Sequence, residues 1–402
     1  MSAKTPAQGS PAYVWQQPAW PHFSFDADAV GPALLEARRL QGDVNGRARA
    51  IGLSPAGDVV QELMAQEVLA TAAIEGEKLD PASVRSSVMR QLGLGGAGTR
   101  DRHVDGLVEV INDASAAFTQ PLDADRLCRW QSALFPGGTS GLQRIAVGRW
   151  RDHEDPMQIV SGVLGRQTIH YEAPPSAKVA FEMDQFLHWF ADTTPVADQE
   201  PALDGIARAA IAHLWFESIH PFEDGNGRIG RAIVDMALAQ DQGGPLRLFS
   251  LSRQLLASRS GYYDALNAAQ RGNGDATDWV QWFAQQIAAA CRRSGDMMDA
   301  AIQKSRFWAD HAAHDIGARQ RKVLQRLLDD GDGGFLGGLS ADKYMKMTGV
   351  SKATATRDLQ ALVAAGLLWT TGQGKATRYY VNVPGWTHGV DVQQRQARAA
   401  RS

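Results

Sequence analysis

Residues 220–231 read HPFEDGNGRIGR, a histidine, two acids, an asparagine and two arginines gathered round three glycines between two long apolar stretches. Such a cluster is costly in a core and has no purpose on a bare surface, so it calls for a ligand. Upstream, DGIARAAIAHLWFESI (204–219) reads as a buried helix with Asp204 at its capping position. Pro221 disfavours helical geometry in the residue before it, which ends that helix at His220. Gly225 and Gly227 allow backbone conformations and close approaches that other residues resist. From Asn226 or Gly227 the segment GRIGRAIVDMALAQ starts a second helix, whose free N–H groups make an anion site. Arg228 and Arg231 share one face of its first turn. Two cations at the positive end of a helix dipole are mismatched unless an anion joins them, and a polyphosphate is such an anion. Asp224 cannot hold a metal alone, but one carboxylate with phosphate oxygens and waters is the usual setting of Mg2+. His220 faces the same loop and suits a proton acceptor for a hydroxyl nucleophile near neutral pH. A zinc site of His213, His220 and Asp224 is the weaker reading, because His213 lies within an apolar run, and no Gly-Lys-Ser/Thr follows the glycines as in a Walker phosphate loop.

A second mismatched charge lies in TAAIEGEKLD (71–80). Glu75 falls in the last turn of a helical pattern that Gly76 terminates, where a carboxylate opposes the negative end of the dipole. An ion pair between Glu75 and Arg231 relieves both mismatches. While it lasts, Arg231 is not free for a phosphate.

His220, Phe222, Asp224, Gly225, Asn226, Gly227, Arg228 and Arg231 together resemble the signature of the Fic-domain enzymes, His-x-Phe-x-Asp/Glu-Gly-Asn-Gly-Arg-x-x-Arg. The resemblance implies transfer of AMP from ATP to a Ser, Thr or Tyr hydroxyl of a target protein, or of the chain itself, with pyrophosphate leaving. It assigns deprotonation of the hydroxyl to His220 and Mg2+ to Asp224. Phosphate binding falls to Asn226, to the backbone at Gly225, Gly227 and Gly230, and to Arg228 and Arg231, with Phe222 in the core. Thr71-x-x-x-Glu75-Gly76 is similar to the family's inhibitory motif, which implies autoinhibition. VGRWRDHEDPMQIVSG (147–162) with HYEAPP (170–175) resembles its flap hairpin, whose edge at Ile159, Val160, Ser161 and Gly162 would align a target segment by strand addition. SGYYDALNAAQRGNGDATDWVQWF (260–283) resembles its adenosine-side helices, with Tyr262, Tyr263 and Gln270 as nucleotide contacts. Some relatives carry Asn in place of Gln270, and either tyrosine equally suits core packing.

The elements that must position these residues are mainly helical. Apolar residues at spacings of three and four predict helices at 26–50, 56–76, 102–118, 123–135, 176–192, 204–219, 227–240, 260–270 and 276–292. The exception is 157–175, where short β-branched runs flank glycines and predict a small hairpin. YVWQQPAWPHFSFD (13–26) reads as an irregular aromatic strap, and the glycine-rich stretch at 92–101 as a linker. The expected fold is therefore a Fic-type helical core with a β-hairpin flap at 96–300, preceded by an N-terminal helical domain with the inhibitory helix at 11–95. Residues 1–10 and 387–402 read as disordered.

Residues 301–386 resemble a winged helix-turn-helix module, with Thr348–Ser351 as the turn, Lys352, Thr354, Thr356 and Arg357 at the exposed start of a recognition helix, and GQGKATR (372–378) as a wing tip. Residues 317–386 hold ten Lys or Arg against five Asp, a local balance of +5 in a chain of net charge −3, so contact with DNA or with a protein is expected there. Cys128 and Cys291, the two cysteines, both lie in apolar helical patterns, which fits a reducing compartment. No run approaches the apolar length of a membrane span and the start lacks a signal-like pattern, so a cytoplasmic location without membrane partners is expected. The leading function is an autoinhibited protein adenylyltransferase. Removal of AMP, transfer from another nucleotide, and a nucleotide-sensing DNA-binding regulator are the alternatives, and a homodimer is left open.

Overall fold

A computed structural model describes residues 13–50, 58–95, 100–161, 168–196, 198–244, 248–332, 335 and 337–388. Gly162 of the expected flap edge, residues 96–99 of the expected linker, and the expected disordered residues 1–10 and 389–402 lie outside the described residues. The chain divides into two compact units, Met1–Gly295 and Asp296–Ser402.

The first unit is helical apart from two short antiparallel strand pairs. A single turn of 3-10 helix at Val14–Gln16 leads into α1 (Ala27–Ala50), α2 (Asp58–Ile74), α3 (Pro81–Gln91), α4 (Arg102–Ala116) and α5 (Ala124–Leu134). Then come β1 (Thr139–Ser140), β2 (Gln143–Arg144), β3 (Gln158–Ser161) and β4 (Thr168–Glu172). The unit continues with α6 (Ser176–Asp192), α7 (Gly205–Ile219), α8 (Asn226–Gln242), α9 (Leu251–Ala257), α10 (Arg259–Gln270) and the first part of the long α11 (Thr277–Asp310), whose residues from Asp296 on belong to the second unit. Helix starts are marked by side chains that accept orphan N–H groups: Asp80 for α3, Asp101 for α4, Asp123 for α5, Asp204 for α7 and Ser250 for α9. The 56–76 and 227–240 patterns thus appear as α2 and α8, while α3 and α9 were not expected and α11 runs well past residue 292.

α7 is the axis of this unit. Every residue from Gly205 to Ile219 is buried, so it has no solvent face and must be surrounded. α8 lies along it, and α6 and α10 flank it. Trp279 of α11 donates its indole N–H to the Ala210 carbonyl at 2.7 Å. Arg38 of α1 clamps the α7–α8 pair at one end through Asp204 (2.8 Å) and Asp241 (2.9 Å). α2 packs on α8, α4 and α9. Its Glu67, buried, accepts from the Ser250 hydroxyl and the Ser252 amide of α9, which fixes the rotation of α2 and so the direction in which its last turn points. The aromatic strap is pinned by Trp15, whose indole donates to the Glu172 carbonyl at 2.7 Å, and by Trp20, which donates to Glu182 at 2.8 Å.

The second unit contains α12 (Ala318–Asp330), α13 (Ala341–Thr348), α14 (Lys352–Ala364) and the antiparallel pair β5 (Leu368–Thr371) and β6 (Arg378–Val381). Its core gathers Val323, Leu324, Leu327, Leu328, Tyr344, Leu359, Leu362, Leu367 and Trp386. Buried Asp358 is satisfied by the Tyr344 hydroxyl at 2.9 Å and by Arg319 at 2.5 Å. Lys352 and Arg357 are exposed at the start of α14, Thr354 and Thr356 half-buried. No described helix is long and apolar enough to cross a membrane.

Candidate active site

The loop between α7 and α8 is built by two left-handed residues. His220 ends α7 at φ 51°, its amide still bonded to the Phe216 carbonyl at 2.9 Å, and Gly225 precedes α8 at φ 91°. An added Cβ at Gly225 would come within 2.9 Å of the Phe135 ring, so both space and backbone call for glycine there. Asn226 closes the loop on itself: its side-chain oxygen accepts from the Phe222 amide at 2.9 Å and its amide donates to the Phe222 carbonyl at 2.8 Å. Phe222 is fully buried. Arg151, itself buried, donates to the carbonyls of His220 (2.8 Å), Ile219 (3.2 Å) and Pro174 (2.6 Å), locking the end of α7 to the base of the hairpin.

The loop opens into a cavity of about 890 Å3 lined by Glu75, Ile159, Val160, His170, Tyr171, Glu217, His220, Asp224, Gly227, Arg231, Tyr262, Tyr263, Asn267 and Gln270, among others. This volume suits a ligand of nucleotide size. The expected site residues thus converge, from α2, the β3–β4 hairpin, α7, α8 and α10. Gly225, Asn226, Arg228, Gly230, Thr71 and Gly76 are outside the lining and act behind it. Gly230 meets α7 at a close approach, where an added Cβ would lie 2.5 Å from Glu217 Oε1 and 3.1 Å from His213 Nδ1.

Electrostatics at the loop are dominated by burial. His220 is pushed down to about 4, by burial first and by Arg151 second, so its imidazole is neutral at neutral pH and retains a nitrogen lone pair. Asp224 faces the cavity; it accepts from the Gly225 amide at 2.5 Å and from the Ser140 hydroxyl, with Arg228 at 3.5 Å. Among the described residues no group of three or more His, Cys, Asp or Glu side chains is arranged to hold a metal ion. The donor set therefore fits Mg2+ only in the form that brings its own phosphate and water oxygens, with Asp224 as the one carboxylate.

Both arginines of the loop are engaged by the end of α2. Arg231 is buried and donates through Nη2 to Glu75 at 2.7 Å and to the Thr71 carbonyl at 3.1 Å, and through Nε to the Thr71 hydroxyl at 2.7 Å. Glu75 and the other acids near it hold the Arg231 guanidinium above its ordinary range, against the desolvation that would lower it. Arg228 donates to Glu77 at 2.9 Å and stacks over Phe135, 4.9 Å from the ring centre. Glu77 also meets His103 Nε2 at 2.9 Å. Gly76 sits between the two acids in the left-handed region, φ 84°. Glu77, His103, Ser140, Arg151 and Glu217 were not expected. A lone acid in a turn carries no periodicity, and a buried helix such as α7 hides which of its polar residues face a cavity.

The aromatic side of the cavity is divided. Tyr262 is buried and its hydroxyl lies 2.8 Å from His213 Nε2, so His213 is a core histidine rather than a metal ligand. Tyr263 is 38 % exposed and donates to the Ile74 carbonyl at 3.3 Å, beneath Arg259. Gln270 donates to the Glu217 carbonyl at 3.1 Å. In the hairpin, Ile159 pairs with Tyr171 and Val160 with Ile169, with an irregularity between them, and among the described residues the sheet consists of β3 and β4, so β3 has one strand neighbour there. Ser161 ends β3 opposite Thr168.

Residues 121–238 match the model of the Fic/DOC family, and residues 13–94 that of a domain of unknown function (DUF4172). The chain carries a Fic domain. It is 25 % identical over 225 residues to protein adenylyltransferase fic-1 of Caenorhabditis elegans, covering 56 % of this chain and 39 % of that protein. It is 25 % identical over 242 residues to protein adenylyltransferase Fic of Drosophila grimshawi, covering 59 % and 43 % respectively. The chain thus spans less than half the length of these curated relatives. The fold is similar to the crystal structure of a Fic family protein from Desulfovibrio desulfuricans G20, at a TM-score of 0.50 and 21 % identity, over 87 % of this chain and 96 % of that one.

Proposed function

We propose that this chain is a protein adenylyltransferase held in an inhibited state by the end of α2. The observation that carries the reading is the Glu75–Arg231 pair at 2.7 Å on the wall of a nucleotide-sized cavity that also holds His220 and Asp224. ATP enters with its β- and γ-phosphates toward Arg228 and Arg231 and the α8 N-terminus, and its adenosine toward Tyr263 on α10. The hydroxyl of a Ser, Thr or Tyr on a target segment lying along β3 attacks the α-phosphorus in line. The new oxygen–phosphorus bond forms as the bond to the β-phosphate oxygen breaks, pyrophosphate leaves, and the hydroxyl proton passes to His220. Neutral His220 is the form able to accept it, and the negative charge of a bound polyphosphate strengthens it as a base. Asp224, together with phosphate and water oxygens, would hold Mg2+, which when bound would supply neutralisation of the charge developing on the leaving group. Two acids from the turn that follows α2 pair with the two arginines of the loop, Glu75 with Arg231 at the cavity wall and Glu77 with Arg228 behind it, which supports autoinhibition. For the second unit, the exposed Lys352 and Arg357 at the start of α14 support contact with DNA phosphates.

The test is His220→Ala in an active background. AMP transfer from α-labelled ATP to protein should vanish while ATP affinity stays within a few-fold, because the base acts on the nucleophile and the arginines on the phosphates. Undiminished labelling by the variant contradicts the assignment.

A further inference from the structure

The cavity wall holds one acid that this scheme does not use. Glu217 lies on α7, three residues before His220, and lines the same cavity as His220, Arg231 and Glu75. Its side chain is only 7 % exposed, and its Oε2 stands 3.7 Å from His220 Nδ1. Oε1 is buried without a hydrogen-bond partner, and so are the Nδ1 atoms of His220 and His213. The groups that face it are His213 and His220 from α7, Arg231 and the Gly230 backbone from α8, Glu75 from α2 and Tyr262 from α10, with Arg151 beyond His220. An ionised carboxylate in such a place is disfavoured unless each oxygen is hydrogen-bonded or paired, and Oε1 is neither. Burial pushes Glu217 up to about 8, with Arg231 opposing that shift and Glu75 adding to it.

We propose that Glu217 is a further positioning residue of the cavity: it acts there as an uncharged carboxylic acid, which leaves the charge of Arg231 undivided for the terminal phosphate of a nucleotide. The proposal rests on the reading of the cavity as a nucleotide site. An ionised Glu217 would compete for Arg231 from the α7 side as Glu75 does from the α2 side, and would repel the phosphates as well. Releasing Glu75 is then not enough; Glu217 must also keep its proton. A bound polyphosphate favours that protonated form, so by linkage its affinity falls once the free protein loses the proton.

The experiment uses the full chain carrying Glu75→Gly, with and without Glu217→Gln, and measures the affinity for ATP and for AMP by calorimetry from pH 6 to 9.5. In the Glu75→Gly chain the ATP dissociation constant should rise with pH, by up to about tenfold per unit, once Glu217 loses its proton, at a pH above the ordinary 4.5 and, with the repulsion from Glu75 removed, below the about 8 of the native chain. AMP, which lacks the β- and γ-phosphates, should change by less than about threefold over the same range. Glu217→Gln, which keeps the shape and cannot ionise, should flatten the ATP curve. An alkaline loss of ATP affinity that survives Glu217→Gln overturns the proposal, as does an ATP affinity independent of pH in the Glu75→Gly chain. Absence of ATP binding at every pH is a different failure, since it overturns the nucleotide reading of the cavity. Should Glu217→Gln not fold, carboxyl carbon resonances of the Glu75→Gly chain decide: a Glu217 signal titrating near the ordinary 4.5 overturns the proposal, and one titrating well above it supports it.

Discussion

Arg228 and Arg231 stand three residues apart on α8, and each is claimed by a different acid from one short stretch, Glu77 and Glu75. The two pairs differ in their further partners. Both guanidiniums are buried and both acids about one-third exposed, but Glu75 works with Thr71 on Arg231, whereas Glu77 is shared between Arg228 and His103. The hydrogen bond from His103 is the largest influence holding Glu77 below its usual range, and Glu77 in turn holds His103 above 6.5. For a histidine raised on folding, the sign is fixed: its contribution to stability is complete below 6.5 and is lost as pH rises through the higher folded value. Glu77→Gln should move the His103 titration midpoint, followed by ring-proton NMR, back toward 6.5 and remove that part of the pH dependence of stability; an unmoved midpoint would show that Glu77 does not hold the ring.

At the scale of elements, the α7–α8 pair depends on close approach at Gly230, where a methyl group would press on Glu217 and His213. Gly230→Ala should therefore lower stability by about 1–3 kcal/mol, the usual range for an overpacked core, read as a reduced denaturation midpoint. A neutral or raised midpoint would mean that the helices part easily there. Much of this layer was legible in the sequence. Asp204 and Pro221 bracket α7 within one residue of its observed limits, and the α6 pattern runs over its observed length, because long apolar periodicity and caps act locally. α3 and α9 were missed because short helices expose little periodic surface, and their caps, Asp80 and Ser250, look like any turn residue. α11 was expected to stop at 292, where the polar run Arg292-Arg293-Ser294-Gly295 interrupts the pattern; the buried Met298 and Phe307 show that the apolar stripe resumes. The Glu75–Arg231 pair was legible because both charges oppose their own helix ends. Glu217 was not, since a helix buried on all sides gives no phase from which to tell cavity from core.

At the scale of the molecule, the groups assigned to chemistry and to inhibition belong to the first unit, and the basic α14 to the second. Removing residues 317–402 should leave ATP binding by the Glu75→Gly chain within a few-fold; a folded truncation that no longer binds would show that the site needs the second unit. The central claim is that Arg231 is withheld from a nucleotide by Glu75. A carboxylate–arginine pair of this burial is worth a few kcal/mol, and roughly each 1.4 kcal/mol is tenfold in an equilibrium. Glu75→Gly should thus raise ATP affinity and self-labelling with α-labelled ATP and Mg2+ by about ten- to a hundredfold. Arg231→Ala in the same chain should abolish the gain, because the released partner is the one that binds phosphate. The most direct measurement is labelling of the wild-type chain, the Glu75→Gly chain and the double variant side by side at neutral pH. The account predicts strong labelling in the second alone; equal labelling of wild type and Glu75→Gly would contradict it.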